Sequence, residues 1–306
     1  MQKILGILGP TAVGKTKIAK ILAQKTNQDT IISADSMQIY QELNVGTAKA
    51  TPEEMSGIAQ LMTDIVQPTD SFSSYDYAKL TSNIIEQMFS ADKIPIIVGG
   101  TGFYFDSLLY PLTYSNDNVE KIREQLNNQL KTFGIDYLYN KLLEIDEESA
   151  KTIHPNNTVR VIRALEIFYS TGQKKSDFKL PTDSKYPANL YVLTTDRQTL
   201  YQKINKRVDK MIADGLLNEV KSLTSKYSPQ NQCFNAIGYK EIIAHLNGDY
   251  DLNTAIEKIK QNTRNYAKRQ ISYFKRFKKA TWIEVNYFDP TQTADKILKD
   301  FFENDH

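Results

Sequence analysis

Apolar and polar positions along the first hundred residues predict strands that alternate with helices. Short continuous apolar runs, each followed by polar or glycine-rich sequence, predict buried strands at residues 3–8, 30–33 and 94–100. Apolar residues at helical spacing predict helices near 15–26 and 75–90. Because strands that alternate with helices usually form a parallel sheet covered on both faces, we expect an α/β core.

The pattern changes after about residue 112, where amphipathic helical segments follow one another without a strand signal. Strand patterns return at 189–195 and 281–285, and apolar residues at helical spacing run through 200–222 between them. An interruption of this kind indicates a helical insertion into an α/β core. The predicted domains are therefore a core formed by residues 1–112 and 188–306 and a helical insertion formed by residues 113–187.

Composition and charge limit the kind of protein this can be. The chain has 306 residues, 41% hydrophobic and 24% charged, which is ordinary for a globular protein. No run approaches about 18 consecutive apolar residues, so we expect no membrane span. Cys233 is the only cysteine, which excludes an internal disulfide and predicts a reducing, cytoplasmic compartment. With a net charge of +2, affinity for a polyanion must depend on local clusters of charge, and nothing indicates an obligate protein partner.

Residues 9–16, GPTAVGKT, fit the phosphate-binding pattern G-x-x-x-x-G-K-[ST] between a predicted strand and a predicted helix. Glycines let backbone N–H groups approach an anion, and the following helix directs the positive end of its dipole there. Lys15 supplies a charge for terminal phosphate oxygens, and the hydroxyl of Thr16 is a suitable Mg²⁺ ligand. The predicted diphosphate- or nucleotide-binding residues are Gly9, Pro10, Thr11, Ala12, Val13, Gly14, Lys15 and Thr16.

A second polar group follows the second predicted strand, in 35-DSMQ-38. Asp35 stands where small-molecule kinases often have an acidic residue that holds their metal ion through water. The nearby amide of Gln38 is unusual for that role, because a carboxylate next to an amide binds diphosphate poorly. The amide of Gln38 offers an acceptor and a donor together, which matches the edge of adenine. The pattern favours a nucleobase site, with a turn or N-cap role for Asp35 as the alternative.

Two later segments add to the candidate site. Residues 99–108, GGTGFYFDSL, end a predicted parallel strand with glycines, at the sheet edge where ligands usually bind. Residues 258–279 contain nine Lys or Arg residues and no Asp or Glu, with four aromatic residues interleaved. Basic groups neutralise backbone phosphates, and aromatic faces stack on unpaired bases. The segment therefore favours RNA binding, and a solvated helix with an aromatic core face is the alternative.

Seven segments, in this order, resemble those of the tRNA isopentenyltransferase (tRNA dimethylallyltransferase) family of the bacterial type. They are GPTAVGKT (9–16), DSMQIY (35–40), GTAK (46–49), GGTGFYFDSL (99–108), IHPNNTVRVIRALE (153–166), AIGYKE (236–241) and YAKRQISYFKRF (266–277). Each segment alone is a weak signal, whereas the ordered set spans almost the whole chain and is highly specific.

This resemblance implies a P-loop NTPase-like parallel sheet flanked by helices, with an inserted all-helical subdomain that contacts tRNA. It also implies a reaction, the transfer of a dimethylallyl group from dimethylallyl diphosphate to N6 of the adenosine 3′-adjacent to the anticodon, with release of diphosphate. The expected cofactor is Mg²⁺, held in part by Thr16. The expected partners are dimethylallyl diphosphate and the anticodon stem-loop of tRNA.

Roles follow for individual residues. We assign Asp35 as the general base for the adenine N6 proton and the phosphate loop as the site of the departing diphosphate. The resemblance places Thr101 and Arg123 near the tRNA. An apolar slot for the prenyl group has candidates in Phe103, Tyr104 and Phe105, which core packing explains equally well. The predicted catalytic residues are Lys15, Thr16, Asp35, Thr101 and Arg123. The predicted tRNA-binding residues are Asp35, Ser36, Met37, Gln38, Thr101, Arg123, Val159, Arg160, Val161, Ile162, Arg163, Lys268 and Arg269.

Two other functions explain part of the sequence. A P-loop small-molecule or nucleoside kinase would use residues 9–16 for ATP and would account for Asp35, but not for the basic segment or for Gln38 beside the carboxylate. A non-catalytic RNA-binding protein with a phosphate loop would bind tRNA and release no diphosphate from any donor.

Overall fold

The computed structural model describes residues 2–110, 119–178 and 183–303. The chain divides into two compact units, one formed by Met1–Leu109 together with Ser184–His306 and the other by Tyr110–Asp183. The predicted boundary between residues 112 and 113 lies outside the described residues. None of the helices in the described ranges is long and apolar enough to cross a membrane.

A parallel sheet forms the centre of the first unit. Its strands are β1 (Ile4–Leu8), β2 (Thr30–Ala34), β3 (Ala59–Leu61), β4 (Ile96–Gly99), β5 (Ala188–Thr194) and β6 (Thr281–Glu284). Their spatial order is β3-β2-β4-β1-β5-β6, and every neighbouring pair is parallel. All residues of β1 are buried, as expected of a strand covered on both faces. The predicted α/β fold is confirmed. The short edge strand β3 was not predicted, because no apolar run marks it in the sequence.

Helices flank this sheet and make up the second unit. In chain order, the α-helices of the described residues are α1 (Lys15–Lys25), α2 (Pro52–Met55), α3 (Ser74–Ser90), α4 (Gly102–Leu109), α5 (Val119–Ile145), α6 (Glu147–Thr152), α7 (Thr158–Thr171), α8 (Arg197–Ala213), α9 (Leu216–Lys226), α10 (Tyr239–Leu246), α11 (Leu252–Phe274) and α12 (Pro290–Glu303). The helical spacing through 200–222 is divided at Gly215, whose φ of 99° lies in the left-handed region and separates α8 from α9.

The register of the central strands brings three loops to one edge of the sheet. Leu8 on β1 and Ala34 on β2 both pair with Gly99 at the end of β4. A Cβ atom on Gly99 would lie 2.0 Å from the carbonyl oxygen of Ala34, so only glycine permits this approach. The phosphate loop, the Asp35 segment and Thr101 therefore leave the sheet at the same carboxyl edge, where ligands of such sheets bind.

The regular secondary structure within residues 119–178 of the second unit is helical. α5 is interrupted at Gly134, whose φ of 81° and ψ of 176° are not helical, so the chain bends there. α5 and α7 pack together around a core that includes Leu126, Leu138, Leu142, Val161 and Leu165. This core leaves the polar face of each helix exposed.

Candidate active site

The phosphate loop joins β1 to α1 and is shaped by glycine. Gly14 precedes the first residue of α1 with a φ of 99°, which residues with a side chain rarely adopt. The amine of Lys15 donates to the carbonyl oxygens of Gly9 and Pro10, both at 3.0 Å. Burial lowers the pKa of Lys15 to about 8, and the charge of Asp35 partly opposes this effect. Lys15 is therefore a cation held at the loop with little solvation to lose when an anion arrives.

A glutamine of α11 holds the phosphate loop against the end of β4. The Oε1 atom of Gln270 accepts the N–H of Thr11 at 2.8 Å, and its Nε2 atom donates to the carbonyl of Gly100 at 2.9 Å. Gln270 is buried, so both bonds are shielded from water. The basic helix is thus bonded directly to the phosphate loop.

The Asp35 segment is a hydrogen-bonded turn. Oδ1 of Asp35 accepts the N–H of Met37 at 2.9 Å, and the hydroxyl of Thr101 accepts the N–H of Ser36 at 3.0 Å. Nε2 of Gln38 donates to the carbonyl of Thr47 at 3.2 Å. A turn role and a chemical role for Asp35 are therefore compatible, because the hydrogen bond that holds the turn uses only the Oδ1 atom of the carboxylate.

A cavity of about 530 Å³ opens onto both the phosphate loop and the Asp35 segment. Of the predicted residues, the following line it: Thr11, Ala12, Gly14, Lys15, Thr16, Asp35 and Gln38. Thr101 lies beside the cavity, bonded to Ser36 and to the side chain of Tyr266, which does line it. Burial and the charge of Asp35 raise the pKa of Tyr266 to about 12, so its phenol remains protonated. Val13 is buried in the core.

Positive charge dominates the cavity. Its lining cations are Lys15, Lys17, Lys203, Lys206, Arg207 and Lys210, against the single carboxylate of Asp35. Six cations facing one anion predict a ligand with several negative charges. The four cations from α8 were absent from the sequence prediction. The available signal was KINKRVDK at 203–210, in which Ile204 and Val208 set the buried face and the basic residues flank it.

Arg207, like Lys15, is an enclosed member of this group of cations. Its Nη2 atom donates to the carbonyl of Thr47 at 3.1 Å, while its buried Nε has no hydrogen-bond partner among the described residues. Burial lowers the pKa of Arg207 below its usual range, and the charge of Asp35 opposes this effect. A buried, unpaired N–H donor costs about 1–3 kcal/mol. An acceptor oxygen on a bound ligand would remove that cost.

The residues around the cavity suit a magnesium ion bound together with a diphosphate. Mg²⁺ is usually held by one or two protein oxygens, with phosphate oxygens and water completing its shell. The exposed hydroxyl of Thr16 and the carboxylate of Asp35 line the same cavity. No cluster of three or more His, Cys, Asp or Glu residues exists in the described ranges, so an all-protein metal site has no support there.

The prenyl candidates lie elsewhere than expected. Phe103 is 63% exposed and packs on Tyr273 with ring centroids 4.8 Å apart, while Tyr104 and Phe105 are buried in the core. None of the three lines the cavity. Its apolar lining comes instead from Ala12, Ala48, Val98 and the ring of Tyr266. Core packing therefore accounts for Tyr104 and Phe105.

The predicted arginines of the second unit form a charged group of their own. Glu166 on α7 is buried and forms ion pairs with Arg123 on α5 and, at 3.1 Å, with Arg163 on its own helix. Two guanidinium groups therefore share this one carboxylate. Val159 is 78% exposed and Arg160 is exposed, whereas Val161 and Ile162 are buried in the core of this unit. The prediction that Val161 and Ile162 contact tRNA is therefore wrong, because both side chains are buried. Of the predicted residues on α7, Val159, Arg160 and Arg163 are accessible for such a contact.

The basic segment forms most of α11. Lys268 and Arg269 are exposed on it, with the guanidinium of Arg269 5.8 Å from the ring centroid of Tyr266. The buried residues of the same helix include Ala267, Gln270 and Phe274. The alternative of a helix with a core-facing side is confirmed for one face of α11. The other face presents the cations on which the predicted RNA binding depends, and that binding stays a prediction.

Comparison with known proteins identifies the family. The model of the IPP transferase family matches residues 38–277. A curated relative from Alkaliphilus oremlandii (strain OhILAs), named tRNA dimethylallyltransferase, is 44% identical over 306 residues, which cover 98% of this chain and 97% of the relative. The chain belongs to the IPP transferase family.

Solved structures agree with this assignment to the IPP transferases. A tRNA delta(2)-isopentenylpyrophosphate transferase from Staphylococcus epidermidis is 39% identical with a TM-score of 0.73, and the match covers 99% of this chain and 100% of that one. A eukaryotic dimethylallyltransferase described as acting on tRNA is 30% identical with a TM-score of 0.88, covering 100% of this chain and 81% of that one. The resemblance drawn from the ordered motifs is confirmed, and the matches support a prenyl transferase and not the alternative of a kinase.

Proposed function

We propose that this IPP transferase catalyses transfer of a dimethylallyl group from dimethylallyl diphosphate to N6 of the adenosine 3′-adjacent to the anticodon of tRNA. The observation that carries the proposal is the shared cavity, in which the phosphate loop and the Asp35–Gln38 pair face one volume of about 530 Å³. A diphosphate binds at one end and a purine at the other, so donor and acceptor meet. The curated relatives and solved neighbours bear names that describe this chemistry.

The phosphate-loop end of the cavity binds the diphosphate of the donor. The first turn of α1 leaves backbone N–H groups without helical partners, and Lys15 and Arg207 add two partly desolvated positive charges. These groups stabilise the negative charge that grows on the leaving diphosphate more than they stabilise the intact donor, which lowers the barrier.

The Asp35 end of the cavity binds the adenine. Gln38 offers an acceptor and a donor to the base edge, and Asp35 lies on the same lining. N6 attacks the allylic carbon of the donor, the C–O bond to diphosphate breaks, and the bonding electrons leave with the oxygen. The proton lost from N6 passes to the carboxylate of Asp35. The target base, stacked within the anticodon loop, must be extruded first, at a cost of a few kcal/mol.

Mg²⁺ completes the donor site in this proposal. When bound, the ion supplies positive charge to the diphosphate oxygens. Thr16 would hold it through the exposed hydroxyl, and Asp35 is the only acidic side chain among the described residues that line the cavity. The loop amides and cations bind the diphosphate in addition to the metal.

Contacts with tRNA come from exposed or partly exposed cations on both units. Arg160 and Arg163 on α7 and Lys268 and Arg269 on α11 present charge to backbone phosphates. Arg123 is held with Arg163 by Glu166, which fixes the direction of both guanidinium groups. We place the reaction in the cytoplasm, where tRNA and a reduced Cys233 both belong.

The test is nucleoside analysis of tRNA after incubation with the protein, Mg²⁺ and dimethylallyl diphosphate, with ATP as the donor in a parallel reaction. We expect dimethylallyl adenosine and an equal amount of diphosphate only with the prenyl donor. A transcript with guanosine in place of the target adenosine is the control and should remain unmodified. Phosphate transfer from ATP, or no product from the prenyl donor, would contradict the proposal.

A matched pair of lysines on α1 tests the donor site. Lys15→Met should raise KM for dimethylallyl diphosphate, because the cation leaves the cavity. Lys25→Met, on the same helix but paired with Asp295 at the surface, should leave KM unchanged. Equal effects of the two substitutions would remove Lys15 from the donor site.

A further inference from the structure

Two of the ordered segments, GTAK at 46–49 and AIGYKE at 236–241, supply no reacting group in the reaction described above, yet they meet in the fold. Gly46 lies against the ring of Tyr239, and a Cβ atom on Gly46 would fall 2.4 Å from the Cε2 atom of that ring. Tyr239 is fully buried at the start of α10. Only glycine allows the loop to pack this closely on the tyrosine.

A carboxylate from a third element, α9, joins these segments. Glu219 accepts three consecutive backbone N–H groups, those of Asn44 at 3.0 Å, Val45 at 2.7 Å and Gly46 at 3.0 Å. The phenol of Tyr239 donates to the same carboxylate at 2.6 Å. Burial and the charge of Glu219 hold the pKa of Tyr239 above its usual range, so the phenol remains a donor. Four donors therefore converge on Glu219 and fix the loop 44–46.

The residue that follows this fixed loop carries a carbonyl used by the active site. The carbonyl oxygen of Thr47 accepts Nε2 of Gln38 at 3.2 Å and Nη2 of Arg207 at 3.1 Å. Thr47 is buried, and its hydroxyl donates to the carbonyl of Leu43 at 2.7 Å, which limits rotation of the peptide. One backbone oxygen thus orients a residue at the adenine end and a residue at the diphosphate end of the cavity.

We propose that Glu219 is a positioning residue for the transfer, which sets the Thr47 carbonyl and through it the amide of Gln38 and the guanidinium of Arg207. This inference rests on the proposed function. Glu219 does not line the cavity, so it acts through the loop and not on the substrates.

The need for such a device follows from the chemistry of an amide. A glutamine side chain can rotate by half a turn and exchange its donor and acceptor, which would reverse the pattern offered to adenine. The Thr47 carbonyl accepts Nε2, and the hydroxyl of Ser33 donates to Oε1 at 3.4 Å. A reversed amide would place two acceptors face to face at Thr47. The fixed carbonyl therefore selects the orientation in which Gln38 accepts from N6–H.

Arg207 gains the same kind of constraint. Its Nη2 atom donates to the carbonyl of Thr47, and its buried Nε atom has no partner among the described residues. If the loop shifted, the guanidinium would follow its bond to Thr47 and leave the position from which it meets the diphosphate. Glu219 therefore influences both substrates from one place.

The main experiment compares Glu219→Gln with Glu257→Gln. The amide keeps the size of the side chain but puts an NH₂ group against backbone N–H donors. Glu257 is an exposed glutamate on α11, paired with Lys260, whose amine also contacts Asp209. We expect Glu219→Gln to lower kcat about 10-fold and to raise KM for dimethylallyl diphosphate about 5-fold, with Glu257→Gln within about 2-fold of wild type. Tyr239→Phe, which removes one donor of four, should show smaller changes of the same sign.

Double-variant cycles separate positioning from a general loss of structure. In a Gln38→Ala background, the effect of Glu219→Gln on kcat/KM for an anticodon stem-loop should shrink at least about 3-fold. In an Arg207→Ala background, its effect on the donor KM should shrink in the same way. A merely structural defect lowers the amount of active protein and leaves KM unchanged. Its fold-effect on kcat/KM would be the same in both backgrounds as in the wild type. Full multiplication in both cycles would therefore overturn the proposal.

The outcomes also distinguish this inference from the proposed function. A wild-type protein that makes no dimethylallyl adenosine would overturn both. An active wild type with Glu219→Gln indistinguishable from Glu257→Gln would overturn the positioning role alone. If Glu219→Gln does not fold, Tyr239→Phe decides by the same two cycles, because it leaves the three backbone bonds to the carboxylate in place.

Discussion

Replacing Asp35 with asparagine changes one atom of the candidate base and preserves the turn that holds it. Oδ1 of Asp35 accepts the N–H of Met37 at 2.9 Å, and the oxygen of an asparagine can make the same bond. The substitution therefore removes the negative charge and the proton acceptor without an expected loss of the fold. Neighbouring contacts, such as the bond from Ser36 to Thr101, do not depend on the charge.

The size of the effect follows from the role of the carboxylate. A positioned general base contributes roughly 10²–10⁴-fold in rate, which corresponds to about 3–5 kcal/mol of barrier. We expect kcat to fall by that factor. At a pH low enough to keep Lys15 protonated, the donor KM should stay within about 3-fold, because the cations of the cavity then remain. Asp35 also raises the pKa of Lys15, so in the variant the pKa of Lys15 should fall below its value of about 8.

The assay is steady-state formation of dimethylallyl adenosine in an anticodon stem-loop, with thermal unfolding as a check on the fold. Asp92→Asn is the control, since Asp92 is an exposed turn residue with a φ of 54°, a conformation that asparagine adopts readily. A kcat for Asp35→Asn within about 5-fold of wild type would remove Asp35 from the role of base. A large rise in stem-loop KM with unchanged kcat would make it a binding residue instead.

Three further predictions concern the cation, the basic helix and the sheet. Because burial lowers the pKa of Lys15 to about 8, its proton is lost as pH rises through that value, and a titration of donor KM should show KM rising above about pH 8; a flat profile up to pH 10 would contradict this. Lys268→Ala should weaken tRNA binding and reduce the slope of log K against log salt by about one, measured by filter binding across salt concentrations, and an unchanged slope would mean that Lys268 meets no phosphate. Gly99→Ala places a methyl group 2.0 Å from the Ala34 carbonyl and should lower the free energy of unfolding in urea by about 3 kcal/mol or more. The control Gly248→Ala, at a φ of 87° with open space around it, should lower it by about 1–2 kcal/mol. Similar losses for the two variants would refute the packing argument.

Local sequence patterns were enough to predict the elements that carry the phosphate loop. The run ILGIL, four hydrophobic residues and one glycine, precedes GPTAVGKT and indicates a strand, and the glycines and lysine of the loop match a phosphate-binding pattern. The alternation of strands and helices predicted the parallel sheet for the same reason, since hydrophobic periodicity reflects which faces are buried. The ordered motifs then indicated the family, because several short chemical patterns in one order seldom recur by chance.

The contacts between segments distant in sequence could not be predicted in this way. Gln270 bonds to Thr11 across 259 positions, and Arg207 bonds to Thr47 across 160. No local pattern shows the partner of either residue, because a glutamine or arginine in a helix indicates no particular contact until its neighbours in space are known. Likewise, the burial of Val161 and Ile162 depends on how α5 and α7 pack.

The sequence by itself therefore determined the parallel α/β class with five of its six strands, the phosphate loop and the family, since each depends on residues close together along the chain. Only the tertiary structure showed that the loop and Asp35 share one cavity, that α8 supplies most of its positive charge, and that Glu219 holds the loop leading to Thr47. The physical reason is that hydrogen bonding and charge act over a few ångströms in space. Which residues come that close is decided by the packing of the whole chain.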